Sequence, residues 1–61
     1  MKYSEFQRWL IANGAIVDKT HGKGSHRTVY FKGRSTTFPF HGSKEIGESL
    51  RKKILKDLNM Q

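Results

Sequence analysis

Ser25-His26-Arg27-Thr28-Val29-Tyr30-Phe31-Lys32-Gly33-Arg34-Ser35-Thr36-Thr37-Phe38-Pro39-Phe40-His41 is the stretch that decides the fold. Successive side chains of an extended chain point to opposite faces. From Ser25 to Lys32 this puts Val29 and Phe31 on one face and His26, Thr28 and Tyr30 on the other. Gly33-Arg34 reads as a turn. Beyond it, Thr36 to His41 repeats the pattern, with Phe38 and Phe40 on one face and Thr37, Pro39 and His41 opposite. Proline has no N–H to give to a ladder, so this strand is an edge or ends at Pro39. A hairpin with one apolar face is marginal alone in water and needs cover.

The flanking segments supply that cover. Upstream, Ala15 to Lys19 reads as a short strand holding Ile16 and Val17, and His21 to Gly24 as a glycine-containing loop. Further upstream a helix is expected from about Ser4 to Asn13. Ser4 and Gln7 have the spacing of a capping box, Tyr3, Phe6 and Leu10 fall on one face with Trp9 on its flank, and Asn13-Gly14 supplies the stop. Downstream, after the turn at Gly42-Ser43, Leu50, Ile54 and Leu58 repeat every four residues, with Leu55 widening the stripe. They mark a last helix over about Glu48 to Leu58.

The order is α-β-β-β-α, an α+β domain in which a three-stranded antiparallel sheet carries two helices on one face. The expected core is Phe6, Leu10, Val29, Phe31, Phe38, Phe40, Leu50, Ile54 and Leu58. The opposite sheet face, with His26, Thr28 and Tyr30, stays partly open.

Composition narrows the class. A chain of 61 residues is read as one domain over 1–61 with a thin core. The absence of cysteine rules out disulfides and thiolate metal sites, and fits a reducing cytoplasm. No apolar stretch approaches the roughly 20 residues needed to span a bilayer, and the N-terminus lacks the apolar run of a signal peptide. The expected setting is cytoplasmic, with no membrane partner. Twelve Lys and Arg against five Asp and Glu give a formal charge of +7. So strong a field on so small a body favours a polyanion, and nucleic acid is the first candidate.

Gly22-Lys23-Gly24-Ser25-His26 is the sharpest local feature. Glycines allow close backbone approach to a ligand, Lys23 brings a phosphate-seeking charge and Ser25 a hydroxyl. Histidine is the side chain whose ordinary pKa suits proton transfer at neutral pH. The piece is no nucleotide-binding P-loop, because the glycine spacing and the following helix are missing. On its own, a histidine on an open sheet face reads more often as a solvated surface residue.

Three ordered motifs add to that reading. The helix ending in Asn13-Gly14 is followed by Gly24-Ser25-His26 and the turn through Gly33-Arg34. Next come Phe38-Pro39-Phe40-His41-Gly42-Ser43-Lys44-Glu45-Ile46 and a helix carrying Leu50-Arg51 and Ile54-Leu55-Lys56. Together they span nearly the whole chain and resemble the HicA mRNA-interferase family. The resemblance implies a fold similar to double-stranded-RNA-binding domains, cleavage of mRNA without a metal cofactor, and a HicB-type antitoxin as partner. It also implies that the catalytic histidine is His26.

Other residues fall around that centre. Lys23, Gly24, Ser25, Arg27, Lys52 and Lys56 are candidates for binding the RNA backbone; the lysines on the last helix read otherwise as a solvated face. Tyr30, Trp9 or Phe40 would stack a base if exposed, although Trp9 and Phe40 read first as half-buried core. His41 is a second histidine whose parity matches His26; the plainer reading has it closing the strand end. Arg51 lies beside the apolar stripe, where it lays its stem on the core, reaches the active face or meets the antitoxin. His21, His26 and His41 match no helical or hairpin zinc-ligand spacing, so no metal is expected. The competing reading is a small, non-catalytic RNA-binding module of the double-stranded-RNA-binding type.

Overall fold

A computed structural model of the chain describes residues 1–19 and 26–60. Its elements are α1 (Tyr3–Ala12), β1 (Ile16–Asp18), β2 (His26–Phe31), β3 (Arg34–Pro39) and α2 (Glu48–Asp57). The three strands form one antiparallel sheet in the order β1-β2-β3, which is the expected α-β-β-β-α arrangement. Both helices lie on one face. Their Phe6, Leu10 and Ile54 share a single buried cluster with Val29 of β2 and Phe38 of β3. Phe38 is the hub, meeting the Phe6 ring edge-on at 5.7 Å, Tyr3 at 6.0 Å and Phe40 at 6.1 Å.

The register follows the side-chain parity. Val29 faces Val17 and Thr36, Tyr30 faces Ile16 and Ser35, and His26 faces Pro39. Pro39 ends an edge strand, where its missing N–H interrupts no ladder. The hairpin turn sits one residue earlier than expected, at Lys32-Gly33, with Arg34 already paired to Phe31. Both turn residues have positive φ, +47° at Lys32 and +80° at Gly33. That two-residue geometry matches the right-handed twist of the strands and favours glycine at the second position.

The start of α1 differs from the expected capping box. Ser4 lies inside the helix, and the cap is Lys2. The Lys2 backbone N–H donates to Glu5 Oε1 at 2.7 Å, and a lysine ammonium cannot accept in return. Tertiary carbonyls do the rest: Tyr3 N–H donates to the Lys44 carbonyl and Ser4 N–H to the Gly42 carbonyl. With those free N–H groups met by the 42–46 segment, the Ser4 hydroxyl is not needed as a cap. Pairing of Lys2 with Glu45 and a 2.8 Å ion pair between the Met1 ammonium and Glu45 fasten the same segment.

Both helices end alike. After α1, Gly14 takes φ +95°, its N–H donates to the Ile11 carbonyl, and Ala15 N–H donates to the Leu10 carbonyl. After α2, Asn59 takes φ +57°, donating to Lys56, while Met60 N–H donates to Leu55. This paired closure satisfies the last carbonyls and seats an apolar residue just beyond each helix. It accounts for Ala15, buried against the cluster but absent from the expected core. Ile46 and Tyr3 are also buried, drawn in by the strap between β3 and α2. Phe31, Phe40 and Leu50 are only partly buried, because a sheet this narrow leaves its margins uncovered.

Candidate functional site

The uncovered sheet face is assembled from three strands by register. Directly opposed residues share a face, so Ile16, Tyr30 and Ser35 form one row, Asp18, Thr28 and Thr37 the next, and His26 with Pro39 the last. His26 opens β2 and is exposed. Tyr30 is 43% exposed and Ile16 66%.

Several anticipated site residues lie elsewhere. Arg27 is next to His26 in sequence but projects to the helix side. There its guanidinium stacks 3.7 Å from the centre of the Phe40 ring and donates to Gln7 Oε1. A cation over an aromatic face is electrostatically attracted to it. Arg27 therefore ties α1 to the sheet, and does not sit beside His26. His41 departs as well. The strand ends at Pro39, so parity no longer governs it, and its ring packs edge-on against Tyr3 at 5.0 Å. That places it against α1 and leaves the strand-closing reading in force.

Lys52 and Lys56 are exposed on α2, about half a helical turn from the buried Ile54. Since α2 covers the inner face, these lysines look away from the face that carries His26. Arg51 is held by Glu48, with Nη2 at 3.1 Å and 3.0 Å from the two carboxylate oxygens. The guanidinium holds the Glu48 carboxyl below its ordinary pKa. Trp9 is 37% exposed and lies nearly parallel to Phe6 at 6.1 Å, while Phe40 lies beneath Arg27. Lys23, Gly24, Ser25 and His21 lie outside the described residues. Among the described residues no cluster of three or more His, Asp or Glu is placed to hold a metal ion.

The row structure also adds residues that the sequence reading left unassigned. Ile16 and Asp18 join the open face, and Lys32 stands in the turn at its hairpin end, whereas Arg34, opposed to Phe31, falls on the helix side. Their signal was the short strand's own alternation, but only the register with β2 says which face it shares.

Comparison with known proteins places this chain. The profile of the HicA toxin of bacterial toxin–antitoxin systems matches residues 3–60. The chain belongs to the HicA toxin family. It is 57% identical over 61 residues to a probable mRNA interferase HicA of Pseudomonas fluorescens (strain Pf0-1), covering 100% of this chain and 98% of the relative. It is 47% identical over 60 residues to the probable mRNA interferase toxin HicA of Escherichia coli (strain K12), covering 98% of each. Among solved structures, a chain in the crystal structure of the E. coli HicAB toxin–antitoxin complex superposes with a TM-score of 0.84 at 42% identity. That match covers 98% of this chain and 100% of the other.

Proposed function

We propose that this chain is an mRNA interferase, a metal-independent endoribonuclease toxin in which His26 moves the proton, silenced by a HicB-type antitoxin. The observation that carries the activity is the full-length 57% identity to a protein named for it. The exposed position of His26 on the sheet face that no helix covers among the described residues supports its role. The charge of +7 supports a polyanionic substrate. An enzyme that cuts mRNA is proposed to act where mRNA is, in the cytoplasm.

The chemistry needs little apparatus. The substrate's own 2′-oxygen attacks the adjacent phosphorus, and the bond to the 5′-oxygen of the next nucleotide breaks. The products are a 2′,3′-cyclic phosphate and a free 5′-hydroxyl. His26 takes the proton from the 2′-hydroxyl as a base or gives one to the departing 5′-oxygen as an acid. Such a group is worth roughly 10²–10⁴-fold in rate. Lys23, Gly24 and Ser25, immediately before His26, are proposed to hold the phosphate. The antitoxin is proposed to cover the His26 face.

The test compares wild type with His26→Ala on a long single-stranded RNA in EDTA, after circular dichroism shows both folded. Wild type should leave cyclic phosphate ends, with cleavage reduced about 10²–10⁴-fold in the variant. Equal cutting by both would remove His26 from the chemistry. A 5′-phosphate product, or a requirement for added Mg²⁺, would replace the mechanism.

A further inference from the structure

The open face has two ends, and only one belongs to His26. At the other, a concavity of about 410 Å³ is lined by Ile16, Tyr30, Phe31, Lys32, Arg34 and Ser35, with Gly14 and Gly33 at its margins. Tyr30 and Ile16 oppose each other in the β1–β2 ladder and are both exposed, so their side chains form one apolar platform. Lys32 and Arg34 are both exposed at the hairpin end, Lys32 in the turn and Arg34 opposed to Phe31 on the helix side of the sheet. The Lys32 ammonium lies 5.2 Å from the centre of the Phe31 ring. Among the described residues no carboxylate lines the concavity. An aromatic surface edged by a cation is what a base and its phosphate require. Stacking uses the π-face that every base has, and the cation meets the backbone.

We infer that this concavity is a nucleobase subsite, in which Tyr30 stacks an unpaired base of single-stranded RNA on the Ile16 platform and Lys32, in the adjoining turn, meets its phosphate. The inference rests on the reading of the chain as an RNA-cleaving toxin. Tyr30 and His26 are four residues apart on one strand, so the base is held about 13 Å from the scissile phosphate. A strand anchored there runs along the Thr28 row to His26, and the subsite sets the register in which the chain is cut. Stacking a splayed base requires an unpaired substrate, which makes Tyr30 a determinant of single-strand preference.

The test measures binding of a short, labelled, 2′-O-methylated RNA strand, which cannot be cut, alongside a strand of equal charge with an abasic position. Tyr30→Ala should lower affinity for the base-bearing strand about tenfold and leave the abasic strand unaffected. Tyr30→Phe, which keeps the ring, should recover most of the loss. Ile11→Ala, an equally open apolar residue on α1, should change nothing. Thermal melting of each variant separates binding loss from unfolding. Wild-type affinity for both strands in Tyr30→Ala, in a protein whose parent binds and cuts RNA, overturns the subsite alone. A parent that neither binds nor cuts overturns the RNA reading and the subsite with it. Loss of antitoxin binding with RNA affinity intact assigns the face to protein docking and overturns the subsite.

Discussion

The two faces of the sheet are built from the same strands and differ in almost every property. The inner face, with Val29 and Phe38, is closed by two helices and has no measurable solvent exposure at either residue. The outer face carries His26, Thr28 and Tyr30 one residue out of step and, among the described residues, receives no helix. A one-residue change of parity thus separates residues that hold the domain together from residues on the exposed face. Arg27 makes the point most sharply. It adjoins His26 in the chain, yet its guanidinium is spent on Phe40 and Gln7 across the sheet.

The comparison can be broken hardest at Phe38. Truncating it to alanine removes the ring that Tyr3, Phe6 and Phe40 pack upon. A buried Phe→Ala change costs about 3–5 kcal/mol. Small domains have stabilities near the low end of roughly 5–15 kcal/mol, so the variant should be largely unfolded at 37 °C by circular dichroism. His26→Ala should show the reverse signature, with the fold retained and cleavage lost; a folded Phe38→Ala would deny the inner face its role.

Arg27→Ala sharpens the boundary. Loss of the stacked guanidinium and its hydrogen bond should cost about 1–2 kcal/mol in urea unfolding. RNA affinity, corrected for the folded fraction, should stay within twofold, on the order of the scatter among distant surface changes. A large fall in affinity at unchanged stability would return Arg27 to the binding surface.

The smallest effect is expected where the helical layer is tied to the margin of the sheet. Asp57 accepts from Lys53 Nζ at 2.7 Å and from the Thr36 hydroxyl at 2.9 Å. Those two donors hold its carboxyl below the ordinary value, the lysine contributing most. A carboxyl depressed in the folded state stabilises it above the ordinary pKa, and that contribution fades as pH falls through the depressed value. Asp57→Asn should therefore lower the melting temperature slightly at neutral pH and flatten its decline in acid. An unchanged acid limb would show that the pair contributes nothing.

Much of this was legible in the chain itself. Period-two alternation marked β2 and β3, the four-residue repeat marked α2, and the paired phenylalanines of 38 and 40 pointed to the covered side. Those signals are local, because backbone geometry alone sends alternate side chains to alternate faces. Pro39 likewise announced an edge before any partner strand was known. The motifs around His26 and the 38–46 segment pointed to the toxin family, and the whole-chain match to relatives agrees with them.

Other features depended on contacts between segments distant in sequence. Ser4 has the residue type of a cap, but the Gly42 and Lys44 carbonyls reached the helix start first. His41 has the parity of His26, yet its strand stops two residues earlier and Tyr3 receives its ring. Ile16 reads only as part of a short strand, and pairing with Tyr30 decides that it lies in the open. The sequence by itself thus determined the order of elements, the two-faced sheet and the family. The tertiary structure decided which charges and rings share a surface, because register, strand ends and helix caps are settled by whichever partner satisfies a hydrogen bond or buries a ring first in space, not along the chain.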